Sequence, residues 1–330
     1  MKDSESISRV IFCRLGGIGD VIHTLPFVKL LKNKYKIARV EYITSENIAQ
    51  LLRKYCPYID RVWIFDKKNK AKLSKEIKLE GVRVDCFFNL HNSLSFFFYN
   101  LFFIQAKKFL QYKKNKNMHA VVNFAKTFDE SLSAFELEAK VLEDECFEDD
   151  VNSLDQNGLK VGSYICLVPG VGKIRLNRSW PIQNWSLLTT KLLALNRQIK
   201  IVFLGGEDER ILSEKLPSIA DRTVNLIGKL DLVDTVKVIS KSKLLVSGDT
   251  GLLHIATGLL KNVVGLYGPT EVERTGPFFS NSQVLVASNC QCKSLKKCSK
   301  TSNSSGYCMS DLSVEAVLDK LNLSFSLVNL

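Results

Sequence analysis

Lys243-Leu244-Leu245-Val246-Ser247-Gly248-Asp249-Thr250-Gly251-Leu252-Leu253-His254 decides how this chain is read, because a small-residue turn joins two apolar runs of different period. Lys243 to Val246 has the apolar, β-branched character of a buried parallel strand, and Leu252 to Leu260 has a helical apolar pattern without proline. At the turn sit a carboxylate, a hydroxyl and a glycine that lets a ligand approach the backbone. The helix start adds unpaired N–H groups carrying partial positive charge. Such a turn suits a phosphate-bearing ligand.

Working outward, the same strand–loop–helix grammar repeats. Arg9-Val10-Ile11-Phe12-Cys13 reads as a strand, Gly16-Gly17-Ile18-Gly19-Asp20 as a Gly-rich turn, and Val21 to Lys34 as a helix with Pro26 in its first turns. Strands over 40–43, 62–65 and 86–90 follow, with helical patterns over 45–54 and 67–80 between them. A second series starts at the strand Tyr164–Val168, runs through a helix over 182–195, strands over 200–204 and 224–226, a helix from Asp208 and one over 232–240, and closes at the strand Val263–Tyr267. Alternation of this kind predicts parallel, doubly wound sheets. The polar stretch Glu148 to Gly158 marks a linker, so the expected organisation is a first Rossmann-like domain over 1–157 and a second over 158–330. The second includes a Cys-rich segment over 288–308 and a final helix. Two such halves are expected to face each other across a cleft, with ligands beyond the carboxyl ends of the strands.

A chain of 330 residues is long enough for two cores, and 45% hydrophobic content can fill both. Its 46 basic and 34 acidic side chains give a net charge of +12, which favours anionic partners. The amino terminus has acidic residues and no apolar stretch of the kind a secretory signal needs, and Leu94 to Ile104 is too short and too often interrupted to span a bilayer. A cytoplasmic protein is expected. Cys13, Cys56, Cys86, Cys146 and Cys166 lie in apolar or helical surroundings and read as buried thiols.

Three further loops carry chemistry. Asp20 begins a helix after glycines, where its carboxylate could act as a general base or merely cap the helix. The spacing of Gly16, Gly17 and Gly19 departs from the dinucleotide fingerprint, which weighs against a nicotinamide oxidoreductase. Pro169 to Pro181 contains Lys173, Arg175 and Arg178 after a strand, cations suited to a diphosphate or simply solvated. Gly205-Gly206-Glu207-Asp208-Glu209 brings acids to the same rim, for ribose hydroxyls or a base amine, or as an acid-rich first helical turn.

Together, the run Arg14 to Pro26, the Trp180-Pro181 pair, Gly205-Gly206-Glu207, Asp249 to His254, and Tyr267-Gly268-Pro269-Thr270 with Arg274-Thr275-Gly276-Pro277 resemble glycosyltransferase family 9, the heptosyltransferases of lipopolysaccharide core assembly. The resemblance covers most of the chain. It implies a GT-B fold, no metal at the reaction centre, and inverting transfer of a heptose from ADP-heptose to an inner-core acceptor sugar. Asp20 matches the family's catalytic base. Arg178 falls where the family usually has a lysine, and Asp249, Thr250, Gly251 and His254 match its donor-binding motif. Glu207 matches the acid that contacts the nucleoside. Val171-Gly172-Lys173 replaces hydroxyl residues that some members carry, which bears on donor identity.

On the acceptor side, Gly16, Gly17, His23, Asn89 and His91 are the candidates. Lys107, Lys108, Lys113, Lys114 and Lys116, set among Phe109, Leu110 and Tyr112, form a basic, partly aromatic patch suited to a phosphorylated glycolipid at a membrane surface, or form a solvated face. The expected protein is therefore a monomer that uses a nucleotide-sugar donor and an anionic glycolipid acceptor, peripheral at the inner face of the cytoplasmic membrane, without nucleic acid and without a cofactor. Cys290, Cys292, Cys298 and Cys308 read as a structural segment and are the residue set for a structural Zn, although Cys-x-Cys is a tight bite for one ion. The rivals are a transferase of another nucleotide sugar, a noncatalytic sugar-nucleotide binder and a nucleic-acid binder. The last would need a continuous basic stripe with stacking aromatics, which here lie mainly in apolar runs.

Overall fold

A computed structural model describes residues 7–91, 93–144, 157–278, 282–288, 290 and 307–325. The chain divides into two compact units, Met1–Glu143 and Asp144–Leu330, a division that falls before the 157/158 boundary read from the polar stretch. Residues 148–156 of that stretch lie outside the described residues.

The first unit is built on five parallel strands, β1 (Arg9–Cys13), β2 (Arg39–Thr44), β3 (Arg61–Ile64), β4 (Cys86–Asn89) and β5 (Lys108–Gln111), in the order β3-β2-β1-β4-β5. Its helices are α1 (Ile18–Asn33), α2 (Glu46–Tyr55), α3 (Lys70–Leu79), α4 (Leu94–Tyr99), which runs on into a π-helical turn over Asn100–Ile104, and α5 (Ala120–Ala125). β1 is buried along its whole length, as the apolar run Val10–Cys13 requires of a central parallel strand. Alternation sorts its side chains to two faces: Phe12 stacks on Phe88 at 4.7 Å with Phe27 of α1 edge-on at 5.3 Å, while Ile11 and Cys13 meet Leu73, Ile77, Phe96 and Tyr99 from α3 and α4. Polar Glu41 sits fully buried in β2 because its partners are supplied: Arg9 Nε donates to it at 2.7 Å and Trp63 Nε1 at 2.6 Å.

The second unit has six parallel strands, β6 (Tyr164–Val168), β7 (Lys200–Phe203), β8 (Thr223–Asn225), β9 (Leu244–Gly248), β10 (Val263–Tyr267) and β11 (Ser282–Val286), in the order β11-β10-β9-β6-β7-β8. Around them lie α6 (Ile182–Leu195), α7 (Leu232–Lys241), α8 (Gly251–Gly258), α9 (Val272–Thr275) and α10 (Val314–Phe325). Trp180 and Trp185 meet edge-to-face at 5.0 Å, and Trp180 Nε1 donates to the Leu312 carbonyl at 2.8 Å, so the start of α6 is pinned to the turn that precedes α10. In each unit the strand order reverses beside the first strand, between β1 and β4 and between β6 and β9. A crevice opens at such a switch point beyond the carboxyl ends of the strands.

Two sequence readings are corrected. The segment after Gly206 is not an α-helix but 3₁₀ turns over Glu207–Lys215, with no buried residue. It carries four acids and no apolar stripe, so no packing drives a longer helix. The lysine-rich segment 107–116 contains an edge strand, β5, whose pairing with β4 the short apolar run Phe109-Leu110 did not announce. No helix among the described residues is long and apolar enough to cross a membrane.

Candidate active site

In the first unit the switch point is framed by the residues after β1 and after β4. Gly17 occupies the N-cap of α1 at φ 74°, a left-handed conformation that glycine takes without steric cost. A Cβ at Gly17 would also stand 2.7 Å from Asp20 Oδ2, so the glycine makes room for that carboxylate. Asp20 does not cap the helix. Arg14 Nη2 donates to Asp20 Oδ2 at 2.5 Å, while Arg14 Nη1 donates to the Leu90 carbonyl at 2.8 Å, fixing the guanidinium between the two loops. Asp20 keeps 43% of its side chain exposed against 15% for Arg14, so an oriented carboxylate faces solvent. His91 stands by the same pair: its pKa is lowered by burial first and by the Arg14 charge second, with Asp20 opposing. The imidazole is therefore neutral near pH 7.

The other acceptor candidates divide. Gly16 has open space where a side chain would project. Asn89 is fully buried and donates to the Ser93 carbonyl at 2.9 Å and to Gln111 Oε1 at 2.7 Å, which makes it a brace for the β4 loop. His23 is buried, its ring 5.3 Å from that of His119 at the start of α5, and it acts in helix packing rather than at an open surface. In the sequence Arg14 is marked only by its place immediately after β1, six residues before Asp20.

In the second unit the turn after β9 holds a buried cluster. Arg178 Nη1 donates to Asp249 Oδ2 at 2.5 Å, and His254 Nε2 lies 3.3 Å from Asp249 Oδ1. All three are buried. Burial alone would raise the Asp249 pKa, but the hydrogen bond to His254 and the Arg178 charge outweigh it and hold the carboxyl below its usual range. Burial lowers the pKa of Arg178, with Asp249 opposing. Thr250 is the N-cap of α8: its Oγ1 accepts from Leu253 N at 3.3 Å and shares a 2.8 Å hydrogen bond with Ser247 Oγ. The N–H groups of Gly251 and Leu252, in the first helical turn, have no intrahelical acceptor and suit an anion.

Expected to meet a diphosphate, Arg178 instead takes an aspartate as its first partner. The cause is burial, since a guanidinium removed from water needs a fixed counter-charge. Its Nε has no partner among the described residues, and neither has the hydroxyl of buried Tyr267 at the end of β10, whose pKa is raised by burial and then by Asp249. Buried polar atoms left without partners beside a phosphate-ready turn are the groups a bound anion would satisfy. In the sequence Tyr267 is legible only as the start of the Tyr267–Thr270 motif. Arg175 is exposed, and the side chain of Lys173 lies outside the described residues.

Two acids of the rim after β7 take different positions. Glu207 is 68% exposed and pairs with Arg210 at 2.8 Å. Glu209 turns inward, accepting from Gly206 N at 2.9 Å and from Gly172 N at 2.8 Å, and so ties this turn to the loop after β6. A Cβ on Gly170 or Gly205 would collide with that carboxylate. Of the four clustered cysteines, Cys292 and Cys298 lie outside the described residues. Cys308 and Cys290 pack with the apolar core, Cys308 directly over Gly268.

A family model described as Glycosyltransferase family 9 (heptosyltransferase) matches residues 103–305. Lipooligosaccharide heptosyltransferase 2 of Haemophilus influenzae is 28% identical over 151 residues, 44% of this chain and 42% of that protein. The chain thus spans less than half the length of that curated relative. Among solved structures, the glycosyl transferase family 9 protein of Veillonella parvula superposes with a TM-score of 0.80 at 21% identity, covering 98% of this chain and 99% of that one. The E. coli ADP-heptose lps heptosyltransferase II does so with a TM-score of 0.76 at 18% identity, covering 97% and 98%. The likeness is one of fold, and the GT-B class expected from the sequence holds.

Proposed function

Because the chain belongs to glycosyltransferase family 9 (heptosyltransferase), we propose that it is an inverting glycosyltransferase that moves a heptose from ADP-heptose to an inner-core lipopolysaccharide acceptor. The observation that carries this reading is Asp20: a carboxylate released from helix capping, aimed by Arg14 and open to solvent beside a neutral His91. Asp20 takes the proton from the acceptor hydroxyl as that oxygen attacks the anomeric carbon, and the nucleoside diphosphate leaves from the opposite face. One displacement inverts the centre. Gly16, Gly17, Asn89 and His91 shape or brace the acceptor loops, with His23 supporting them from the buried face of α1.

The departing diphosphate gathers negative charge, so donors fixed in advance stabilise the transition state more than the ground state. Those donors are the first-turn N–H groups at Gly251 and Leu252, the remaining N–H groups of Arg178 and the Tyr267 hydroxyl. Asp249 and His254 hold Arg178 in place, Thr250 organises the turn, and Glu207 contacts the nucleoside. The first unit thus serves the acceptor and the second the donor. The reading needs no metal at the reaction centre. It places a monomer on the cytoplasmic side of the membrane, with a glycolipid acceptor and no nucleic acid.

ADP-heptose is favoured over other nucleotide sugars by the names of the similar proteins, with the replacement at Val171-Gly172-Lys173 as the point where donor choice is open to change. The test uses a panel of nucleotide sugars with the full chain. ADP-heptose alone should raise the melting temperature and, with a heptose-acceptor glycolipid, release ADP. The Asp20→Ala variant should keep the melting shift and lose ADP release. Equal stabilisation by all donors without transfer would leave a sugar-nucleotide binder, and unimpaired transfer by Asp20→Ala would remove the general base.

A further inference from the structure

The helix α4 and the π-helical turn that continues it carry apolar side chains on opposite sides, interrupted by Ser95 and Asn100, yet only one side is buried. Phe96, Tyr99 and Ile104 point into the core of the first unit. On the other side Leu94, Phe97, Phe98, Leu101 and Phe102 stand 43% to 79% exposed. Their spacing of i, i+3, i+4, i+7 and i+8 is that of one helical stripe, so they form a continuous ridge rather than scattered surface residues. The ridge is ordered by its own contacts: Phe98 stacks on Phe102 at 6.3 Å, and Phe97 meets Phe109 of β5 edge-on at 5.4 Å. Water gains nothing from this arrangement, and a folded soluble surface has no use for five large apolar side chains in line.

Basic residues border the ridge on both sides. After it come Lys107, which pairs with Asp85 at 2.8 Å, and Lys108, both exposed, with Lys113, Lys114 and Lys116 exposed beyond β5. Alongside it, between α3 and the π-helical turn, an open pocket of about 340 Å³ is lined by Ala71, Ser74, Lys75, Lys78, Leu79 and Phe103. It sets apolar surface from Leu79 and Phe103 beside the cationic groups of Lys75 and Lys78, a combination suited to a phospholipid headgroup at the bilayer interface. We propose that the Leu94–Phe102 ridge inserts into the interfacial layer of an anionic phospholipid bilayer, with the flanking lysines and the Lys75–Lys78 pocket engaging the lipid phosphates. Aromatic and leucine side chains on one helix face beside lysines are the composition that holds helices at a bilayer interface. A second copy of this chain fits less well. A two-fold contact sets the same patch against itself, so the two lysine borders would face each other. The proposal shares with the proposed reaction only the location of the acceptor, and a chain that transferred no sugar would still bind by this face.

The experiment is flotation of the full chain with vesicles of phosphatidylcholine, and with vesicles of phosphatidylcholine mixed with phosphatidylglycerol. Binding is expected to the mixed vesicles, at least tenfold weaker to the neutral ones, and weakened by high salt. Phe98→Ser with Phe102→Ser should reduce binding at least tenfold, and Lys108→Glu with Lys113→Glu should abolish the preference for anionic lipid. Neither double variant should alter the melting temperature by more than a few degrees or change ADP binding to the second unit. Phe98→Trp should shift its emission to the blue only with the mixed vesicles. Full-strength binding by the Phe98→Ser, Phe102→Ser variant, no binding by the unaltered chain, or a dimer in solution that this variant dissolves would each overturn the proposal.

Discussion

Each unit places an aspartate against an arginine at 2.5 Å beside the switch point of a parallel sheet, and the two pairs differ in how much water reaches them. Asp20 keeps 43% of its side chain exposed; Asp249 keeps 9% and adds His254 as a second partner. The same chemical pair can therefore serve opposite ends. An exposed carboxylate aimed by a cation can accept a proton from a substrate, whereas a buried one is committed to holding its arginine. If the comparison is right, the two aspartates should fail in different ways when removed. Asp249→Ala leaves a buried guanidinium without its counter-charge and should cost about 3–5 kcal/mol of stability. Asp20→Ala should cost less than about 1 kcal/mol, because water already screens that pair. Denaturant unfolding of both variants measures the difference, and equal losses would erase the distinction.

Acid should separate them further. The folded Asp249 carboxyl titrates below its usual range, so it contributes stability in full above the unfolded value of about 4 and loses it as pH falls through the lower folded value. Unfolding free energy should therefore fall steeply below about pH 4, and the slope should shrink in Asp249→Asn. Asp85, whose pKa is also lowered, adds a slope of its own in the first unit, where burial raises it and Lys107 and the N–H groups at Ser8 and Arg9 more than compensate. That part should survive in Asp249→Asn.

On the activity side the sharper variant is Arg14→Met. It leaves Asp20 in place but removes what aims it, and a misplacement of about 1 Å at a reacting group costs about 100-fold. Transfer should fall by about 10- to 100-fold with donor affinity unchanged. A fall in donor affinity instead would mean that Arg14 belongs to the donor rather than to the base.

Much of this was legible in the sequence where a single period governed a whole element. β1, β6, β10 and α6 have the bounds their apolar patterns predict, because each is covered on its inner side by neighbours that demand that pattern. Asp20 and Asp249 stand out in the sequence because each immediately follows a glycine at the end of a strand or its loop, with Thr250 next to Asp249. What escaped was set by partners distant in sequence. β5 becomes a strand by pairing with β4, and Glu209 rather than Glu207 closes the loop after β7 because Gly172, thirty-seven residues earlier, offers its N–H. Likewise the exposure of the Leu94–Phe102 stripe cannot be read from a run that carries large apolar side chains on opposite sides of the helix.

The smallest effect should come from the two neighbouring glutamates at the donor rim. Glu207 pairs with Arg210 in the open, so Glu207→Ala should change stability by less than about 0.5 kcal/mol. If it contacts the nucleoside, donor affinity should still fall several-fold. Glu209→Ala deletes two charge-assisted hydrogen bonds that join the loops after β6 and β7, and should cost about 1.5–3 kcal/mol. Its effect on the donor would be indirect, through loops that no longer hold their relative position. Titration of both variants with ADP and with ADP-heptose separates a contact from a brace. A direct contact weakens binding without lowering the melting temperature, and a brace lowers both together. Should Glu207→Ala leave donor affinity untouched, the nucleoside is recognised elsewhere, and the acid that matters on this rim is the one bonded to Gly172.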